Sequence, residues 1–218
     1  MKTALIIGCT GLVGSQLLNL LLDSNDYLKV IIFVKRDSGI KHIKLTQHII
    51  DFEKPQTFKE LIIGDDFFCT IGTTIKKAGS KKAYKKVDFD YPRQFATFAL
   101  QNNVKRFLII SSLGADAKNG NFYLKTKGEI QDFLQDCNFE SVSVLQPSLL
   151  LGNRTEFRMG EKVGAFLMNT FSFLFLGNLK KYKPIESKTV AKALLKIAQT
   201  NNIGFKIYES DAIKEIGN

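Results

Sequence analysis

The sequence is poor in the residues that build disulfide frameworks and metal sites. Its 218 residues include three cysteines, two histidines and no tryptophan. Cys9, Cys69 and Cys137 are far apart and form no C-x-x-C motif, which excludes a disulfide framework and a zinc knuckle and is typical of a reducing compartment. His42 and His48 have no cluster of other ligands around them. We therefore expect no metal site and a cytoplasmic location.

Long hydrophobic runs are also lacking. The apolar stretch at residues 4–7 is much shorter than the roughly 7–15 residues of a signal-peptide core, and a buried first strand explains it better. The phenylalanine-rich stretch at residues 163–176 is shorter than the about 20 residues that cross a bilayer. We interpret it as a helix packed on the core, with a protein-partner or membrane-surface patch as the alternative. No transmembrane segment is expected.

Acidic residues are outnumbered. Lysine and arginine total 31 against 21 for aspartate and glutamate, which gives a net charge of +10. Such an excess is compatible with nucleic-acid binding. However, the basic residues are spread along the chain, and no recognition-helix or zinc-finger pattern accompanies the densest group at residues 76–86. We expect a solvated basic surface and no nucleic-acid partner.

Short apolar runs alternate with segments of helical spacing along the chain. The length and a hydrophobic share of 44% predict one domain over residues 1–218 with its own core. Strands are predicted at residues 3–7, 28–34, 47–51, 66–71, 104–111 and 141–145. Helices are predicted at residues 12–22, 55–63, 122–137 and in the stretch that ends near residue 102. This alternation, with strands buried on both faces, indicates an α/β fold with a doubly wound parallel sheet.

The pattern loosens after Pro147. A helix capped by Ser187 is predicted up to residue 199, followed by a last strand at residues 205–208. We interpret residues 148–218 as a small C-terminal elaboration that supplies most of the substrate side. No recognisable specificity motif appears there, so the small-molecule substrate and the oligomeric state are not predicted.

A glycine-rich turn follows the first predicted strand. Residues 8–14 read G-C-T-G-L-V-G, with glycines at Gly8, Gly11 and Gly14. Such glycines allow a tight turn, close approach of a phosphate and close packing of helix on strand, and the helix N-terminus then faces the pyrophosphate. The position between a strand and an amphipathic helix favours a Rossmann-type dinucleotide site over a merely structural turn. The G-x-x-G-x-x-G spacing resembles that of short-chain and extended dehydrogenases rather than that of the classical medium-chain ones.

The end of the second predicted strand favours NADP over NAD. NAD sites usually have an acidic residue here for the ribose hydroxyls. This chain instead has Lys35 and Arg36, and no acidic residue precedes Asp37. Two cations suit a 2′-phosphate, because arginine offers a fork that matches phosphate oxygens. The alternative is a basic loop that arises by chance in a lysine-rich chain.

Serine, tyrosine and lysine occur at the spacing of a reductase centre. Ser111 and Ser112 end the fifth predicted strand, and Tyr123 and Lys127 share one face of the next helix. Tyr123 would exchange a proton with a carbonyl or hydroxyl oxygen, Lys127 would bind the nicotinamide ribose, and a serine would polarise the substrate oxygen. Ser112 is the predicted serine, with Ser111 left open. The alternative is an ordinary helix start with a solvated lysine.

Ordered motifs along nearly the whole chain resemble one family. They are residues 8–14, 51–54, 69–74, 77–80, 87–91, 111–116, 123–129 and 146–154. They resemble the atypical short-chain dehydrogenases of the HIV Tat-interacting oxidoreductase type, next to the NmrA-like proteins. Two departures stand out: Gln146-Pro147-Ser148 replaces a frequent Arg-Pro-Gly, and Lys35-Arg36 replaces a frequent Arg-Arg.

The resemblance implies a Rossmann fold that binds NADPH. It places the pyrophosphate against Thr10, Gly11, Leu12 and Val13, the 2′-phosphate against Lys35 and Arg36, and the adenine between Asp51 and Phe52. It places the ribose over Ile71 and Gly72, and the nicotinamide side against Leu150 and Arg158. The activity implied is an NADP-dependent reductase of a small carbonyl compound. Some members of the family act as regulators or binding proteins, so an NADP-binding protein without turnover is the alternative.

Overall fold

Strands and helices alternate along the chain in the computed structural model, which describes residues 2–152 and 181–218. The strands are β1 (Lys2–Ile7), β2 (Tyr27–Val34), β3 (Leu45–Ile49), β4 (Asp66–Cys69), β5 (Arg106–Ile110), β6 (Ser141–Gln146), β7 (Leu150–Leu151), β8 (Ile185–Glu186) and β9 (Gly204–Glu209). The helices are α1 (Leu12–Asp23), α2 (Ile75–Ala78), α3 (Lys81–Lys85), α4 (Tyr91–Gln101), α5 (Phe122–Gln135), α6 (Ser187–Ala198) and α7 (Ser210–Gly217). A π-helical turn, Lys86–Asp90, joins α3 to α4.

Seven strands form one sheet in the order β3-β2-β1-β4-β5-β6-β9. Every neighbouring pair in it is parallel. The chain runs outward from β1 on one side and then returns to build outward from β4 on the other. In such sheets ligands bind in the crevice beyond the carboxyl ends of the strands at this switch point. The predicted Rossmann-type, doubly wound parallel sheet is confirmed.

The core has two layers because both faces of the sheet are covered. Ala4 and Ile6 of β1 pack towards α1 and α6, whereas Leu5 and Ile7 pack towards α4 and α5. Alternate residues of a strand point to opposite faces, so a strand covered on both sides must be apolar at every position. This explains the unbroken apolar runs of the sequence.

The predicted helix at residues 55–63 is wrong. The segment forms two short 3₁₀ turns, Pro55–Thr57 and Lys59–Leu61. Asn102 donates from its side-chain amide to the carbonyls of Lys59 and Ile62, at 2.7 and 3.0 Å. Those long-range hydrogen bonds pair backbone groups that a helix would otherwise use.

Three other elements differ from expectation. The strand predicted at residues 47–51 lies at Leu45–Ile49. Ser187 begins α6 rather than capping it, since Glu186 is the N-cap residue and provides no side-chain cap. The sequence pattern did not predict α7.

The C-terminal part of the chain completes the sheet as well as adding to it. Strand β9 pairs with β6 in parallel, and β7 pairs with β8 in a separate two-stranded sheet. Arg158 and the stretch 163–176 lie outside the described residues. Among the helices of residues 2–152 and 181–218, none combines the length and the apolar character that crossing a membrane requires.

Candidate functional site

The turn after β1 needs glycine at two positions for different reasons. Gly8 has a φ of +82°, and a Cβ atom there would lie 2.4 Å from the backbone nitrogen of Ile71. A Cβ atom on Gly14 would lie 2.1 Å from the carbonyl oxygen of Gly8, so α1 could not approach the turn as closely. On Gly11 the nearest atom would be 3.2 Å away, a much milder approach. Gly11 is therefore less constrained by packing than the other two glycines.

The first turn of α1 offers backbone N–H groups to the crevice. Gly11 is the N-cap residue of α1 and cannot cap its N–H groups with a side chain. The first turn contains no acidic residue. Unpaired N–H groups and the positive end of the helix dipole make such a terminus an anion site.

A cavity of about 1620 Å³ lies along the carboxyl ends of the central strands. This volume exceeds the roughly 300–1,000 Å³ of a usual small-molecule site, which leaves space for a dinucleotide together with a substrate. The cavity is lined by these residues predicted from the sequence: Thr10, Gly11, Leu12, Val13, Ile71, Gly72, Ser112, Tyr123, Lys127 and Leu150. The glycine turn and the tyrosine–lysine pair thus face one space.

Other predicted residues lie away from this lining. Gly8 and Gly14 shape the turn from behind, and Lys35, Arg36, Asp51 and Phe52 are not among the residues around the cavity. The ammonium of Lys35 lies 5.3 Å from the ring centroids of both Phe52 and Tyr91. Lys35 is therefore held by cation–π contacts on the floor of the predicted adenosine end.

The carboxylate of Glu53, next to the rings of Phe52 and Tyr91, was not predicted from the sequence. Glu53 accepts a short hydrogen bond from the Tyr91 hydroxyl and forms an ion pair with Lys86 at 2.5 Å. The hydrogen bond from Lys86, followed by that from Tyr91, holds the pKa of Glu53 below its ordinary value. In the part of the chain that the structure describes, the Arg36 guanidinium has no hydrogen bond, ion pair or ring contact. Arg36 thus remains available at this end.

Tyr123 and Lys127 stand on the first turns of α5. Asn121 caps the helix by accepting from the backbone nitrogens of Tyr123 and Leu124, at 2.9 and 3.3 Å. The Tyr123 ring packs against Tyr84, with 5.8 Å between the centroids. These contacts fix the start of the helix, so that both functional groups reach the cavity from the same side.

The lysine of this pair has a buried carboxylate partner. The Nζ of Lys127 lies 2.8 Å from Oδ1 of Asp88, and both side chains are almost completely buried. Asp88 also accepts from the backbone nitrogen of Thr73 at 2.9 Å. Burial acts to lower the pKa of Lys127, but Asp88, with smaller contributions from Tyr123 and Cys69, raises it above the ordinary value. Lys127 is therefore charged at neutral pH.

Sequence reasoning missed Asp88 because its burial cannot be read from the chain. The residue lies in the π-helical turn Lys86–Asp90, among lysines that look like a solvated face. Ser15, Gln16, Lys76 and Tyr182 also line the cavity without having been predicted. The two lysines at the start of the densest basic group belong to α2, beside the cavity rather than on a remote surface.

The two serines after β5 have different surroundings. Ser111 is buried and accepts a hydrogen bond from the side-chain amide of Gln131. Ser112 is partly exposed, and both residues line the cavity. Within the described residues, no group of three or more histidine, cysteine or acidic side chains is placed to hold a metal ion.

Comparison with known proteins gives the family. A family model described as NAD(P)H-binding matches residues 8–201. The chain is 34% identical over 164 residues to Protein HTATIP2 of Rattus norvegicus, covering 73% of this chain and 67% of that protein. It is 30% identical over 200 residues to Protein FMP52, mitochondrial, of Candida albicans, covering 89% of this chain and 86% of that protein. The resemblance drawn from the sequence motifs is confirmed.

Solved structures share the fold at lower identity. The oxidoreductase ylbE of Lactococcus lactis has a TM-score of 0.70 at 18% identity, covering 99% of this chain and 94% of that one. WbmH of Bordetella bronchiseptica, solved in complex with NAD+, has a TM-score of 0.70 at 18% identity, covering 100% of this chain and 79% of that one. These likenesses show that the chain shares the fold of these two proteins.

The comparison with relatives by sequence shows that the predicted cytoplasmic location is wrong. FMP52 proteins of Candida albicans, Coccidioides immitis and Debaryomyces hansenii, 29–30% identical to this chain, are named as mitochondrial. Cysteine usage reports the redox state of a compartment and not which compartment it is, so the sequence argument could not separate one reducing environment from another.

The family model covers most of the chain, and its matched region begins at Gly8 of the glycine turn. The curated relatives also align along two thirds or more of their own lengths. The chain belongs to the NAD(P)H-binding family.

Proposed function

We propose that this protein is an NADP-dependent oxidoreductase that acts on a small carbonyl or alcohol substrate by Ser-Tyr-Lys chemistry. The observation that supports it most is that one cavity is lined by the glycine turn, the serines after β5, Tyr123 and Lys127. A dinucleotide on the turn would then extend its nicotinamide towards the tyrosine–lysine pair.

The residues fit a dinucleotide at both ends. The N-terminus of α1 suits the pyrophosphate, and Gly11 lines the cavity there without a side chain. At the adenosine end Arg36 and Lys35 suit a 2′-phosphate. The first acidic residue after β2 is Asp37, whose carboxylate accepts from Gln47 at 2.7 Å and from the backbone of Gly39 at 2.9 Å. Because Asp37 is engaged by Gln47 of β3 and by Gly39 of its own loop, we favour NADP over NAD.

The chain's own residues would handle the proton and the charge. NADPH, when bound, supplies the hydride that reduces the carbonyl carbon. Tyr123 donates its phenolic proton to the carbonyl oxygen and regains a proton from solvent. Lys127 binds the nicotinamide ribose, and its positive charge stabilises the tyrosinate left behind. A serine hydroxyl at the end of β5 polarises the carbonyl oxygen; the sequence predicts Ser112 and leaves Ser111 open.

The test is NADPH oxidation with a panel of small carbonyl compounds. Tyr123→Phe should lower turnover by about 10²–10⁴-fold, the usual contribution of general acid catalysis, with NADPH affinity nearly unchanged. Lys127→Ala should impair both turnover and NADPH binding. Full activity in Tyr123→Phe would refute the mechanism. Tight NADPH binding without turnover of any carbonyl or alcohol would support the regulatory or scaffold alternative.

A further inference from the structure

Three buried polar side chains form a hydrogen-bonded line from β6 to the end of β5. Nε2 of Gln146 donates to Oε1 of Gln131 at 3.0 Å, and Nε2 of Gln131 donates to Oγ of Ser111 at 2.5 Å. Their exposed fractions are 5%, 4% and 5%. Because water does not compete for these groups, the line holds its members in one arrangement.

The line has a direction that ends at the cavity. The carbonyl oxygen of Gln131 accepts from Gln146, so its N–H group faces Ser111. A serine hydroxyl has one proton and two acceptor sites. Since the Ser111 oxygen accepts from Gln131, its own proton is directed away from that glutamine. Ser111 lines the cavity, and among the described residues its hydroxyl donates to no protein group, so an acceptor for this proton would lie in the cavity.

The neighbouring serine lacks such support. Within residues 2–152 and 181–218, the hydroxyl of Ser112 makes no hydrogen bond to another protein group, although this residue also lines the cavity. A donor that is oriented before the reaction stabilises developing negative charge on a substrate oxygen better than a freely rotating one.

We infer that Ser111 is the hydroxyl that polarises the substrate oxygen, and that Gln131 is a positioning residue that directs the Ser111 proton into the cavity. This inference rests on the proposed reductase function. Gln146 acts indirectly, because its hydrogen bond to Oε1 of Gln131 fixes the orientation of the Gln131 amide. The sequence prediction of Ser112 is the alternative assignment that the experiment compares.

Serine variants give the first measurement. With a carbonyl substrate that the unmodified protein reduces, Ser111→Ala should lower kcat by about 10²–10³-fold, the usual effect of losing one oxyanion donor. The comparison variant, Ser112→Ala, should lower kcat clearly less than Ser111→Ala does. Both variants should bind NADPH as before, because neither hydroxyl belongs to the glycine turn.

Gln131→Glu gives a readout that a merely structural role would not produce. When the introduced carboxyl group is protonated, it can still accept from Gln146 and donate to Ser111. When it is ionised, it has no proton to donate, so it accepts the Ser111 proton and turns it away from the cavity. The variant should therefore be active at acidic pH and lose kcat as the pH rises, with a new limb that the unmodified protein lacks. Gln131→Leu, which has neither donor nor acceptor, should be impaired at every pH without this limb.

The outcomes distinguish a failure of the Ser111 assignment from a failure of the proposed reductase function. A larger loss in Ser112→Ala than in Ser111→Ala, or a pH profile of Gln131→Glu that matches the unmodified protein, overturns the inference and leaves the reductase function standing. Absence of turnover by the unmodified protein overturns both. In Ser111→Ala, adding Gln131→Glu should cause no further loss, since the two act through one hydroxyl.

Discussion

Lys35 and Arg36 are adjacent, yet the structure gives their side chains different surroundings. Lys35 is held over the rings of Phe52 and Tyr91, whereas Arg36 is not engaged by the described residues. Arginine also offers two parallel donors to a phosphate. We predict that Arg36→Ala weakens NADPH binding by about tenfold or more, in line with the about 1.5–3 kcal/mol of a charged hydrogen bond. Lys35→Ala should weaken it less.

Calorimetric titration of both single variants with NADPH and NADH measures this difference. NADH affinity is the internal control, because NADH lacks the 2′-phosphate and should be little affected by Arg36→Ala. An equal loss of NADPH and NADH affinity in Arg36→Ala would mean that Arg36 does not read the 2′-phosphate.

Asp88 and Lys127 form a buried ion pair, which should contribute to the stability of the protein as well as to its chemistry. Asp88→Asn keeps an acceptor for the Thr73 nitrogen but leaves the buried Lys127 ammonium without its carboxylate. Breaking a buried ion pair in this way typically costs about 3–5 kcal/mol in free energy of unfolding. We predict a loss of this size in denaturant unfolding.

The matched control is the double variant Asp88→Asn with Lys127→Met. It removes both charges and should lose less stability than the sum of the two single variants. Strictly additive losses would show that the two side chains do not stabilise each other.

At the scale of elements, the sequence pattern predicted those helices, strands and turns that depend on residues close together in the chain. The order β1, glycine turn, α1 was predictable because the turn lies between an apolar run and an amphipathic segment, and the tight positions Gly8 and Gly14 are required by the backbone itself. The segment at 55–63 was not predictable, because the decisive hydrogen bonds come from Asn102, far along the chain. The same holds at the site for Asp88, whose burial depends on α5 packing against the π-helical turn.

The glycine turn also gives an element-scale prediction. A methyl group on Gly14 would press on the Gly8 carbonyl, and helix and turn would have to separate. We predict that Gly14→Ala lowers the free energy of unfolding by about 1–3 kcal/mol, the usual cost of overpacking, despite the higher helix propensity of alanine. Gly11→Ala, where the approach is milder, is the matched control and should lose clearly less. Equal stability of both variants in thermal unfolding would refute the packing role of Gly14.

At the scale of the whole molecule, the reactivity of the three cysteines shows how well the core is shielded from solvent. Burial raises the pKa of Cys69 to about 12 and that of Cys9 to about 11. Cys137 lies near the end of α5 and is only partly buried. We predict that a thiol reagent at mildly alkaline pH labels Cys137 of the folded protein first, and that Cys9 and Cys69 react only after unfolding.

The burial of Cys9 and Cys69 also determines how the stability of the folded protein changes with pH. Thiols whose pKa is raised by folding stabilise the protein fully below their ordinary pKa, and this contribution is lost as the pH rises towards the raised values. For the labelling experiment, mass spectrometry of the modified protein identifies the order in which the three cysteines react. Labelling of Cys69 as fast as Cys137 in the folded protein would contradict the closed core on that face.

We propose above that the glycine turn holds the pyrophosphate of NADPH. The most direct measurement is calorimetric titration of NADPH into the unmodified protein and into Gly11→Glu, with thermal unfolding of both. Glutamate at this position adds a negative charge to the cavity lining at the start of α1, and its Cβ atom would meet the Gly8 carbonyl oxygen at 3.2 Å, a milder approach than at Gly8 or Gly14. We predict saturable NADPH binding to the unmodified protein and none to a folded Gly11→Glu. Equal NADPH affinity in the two proteins would contradict it.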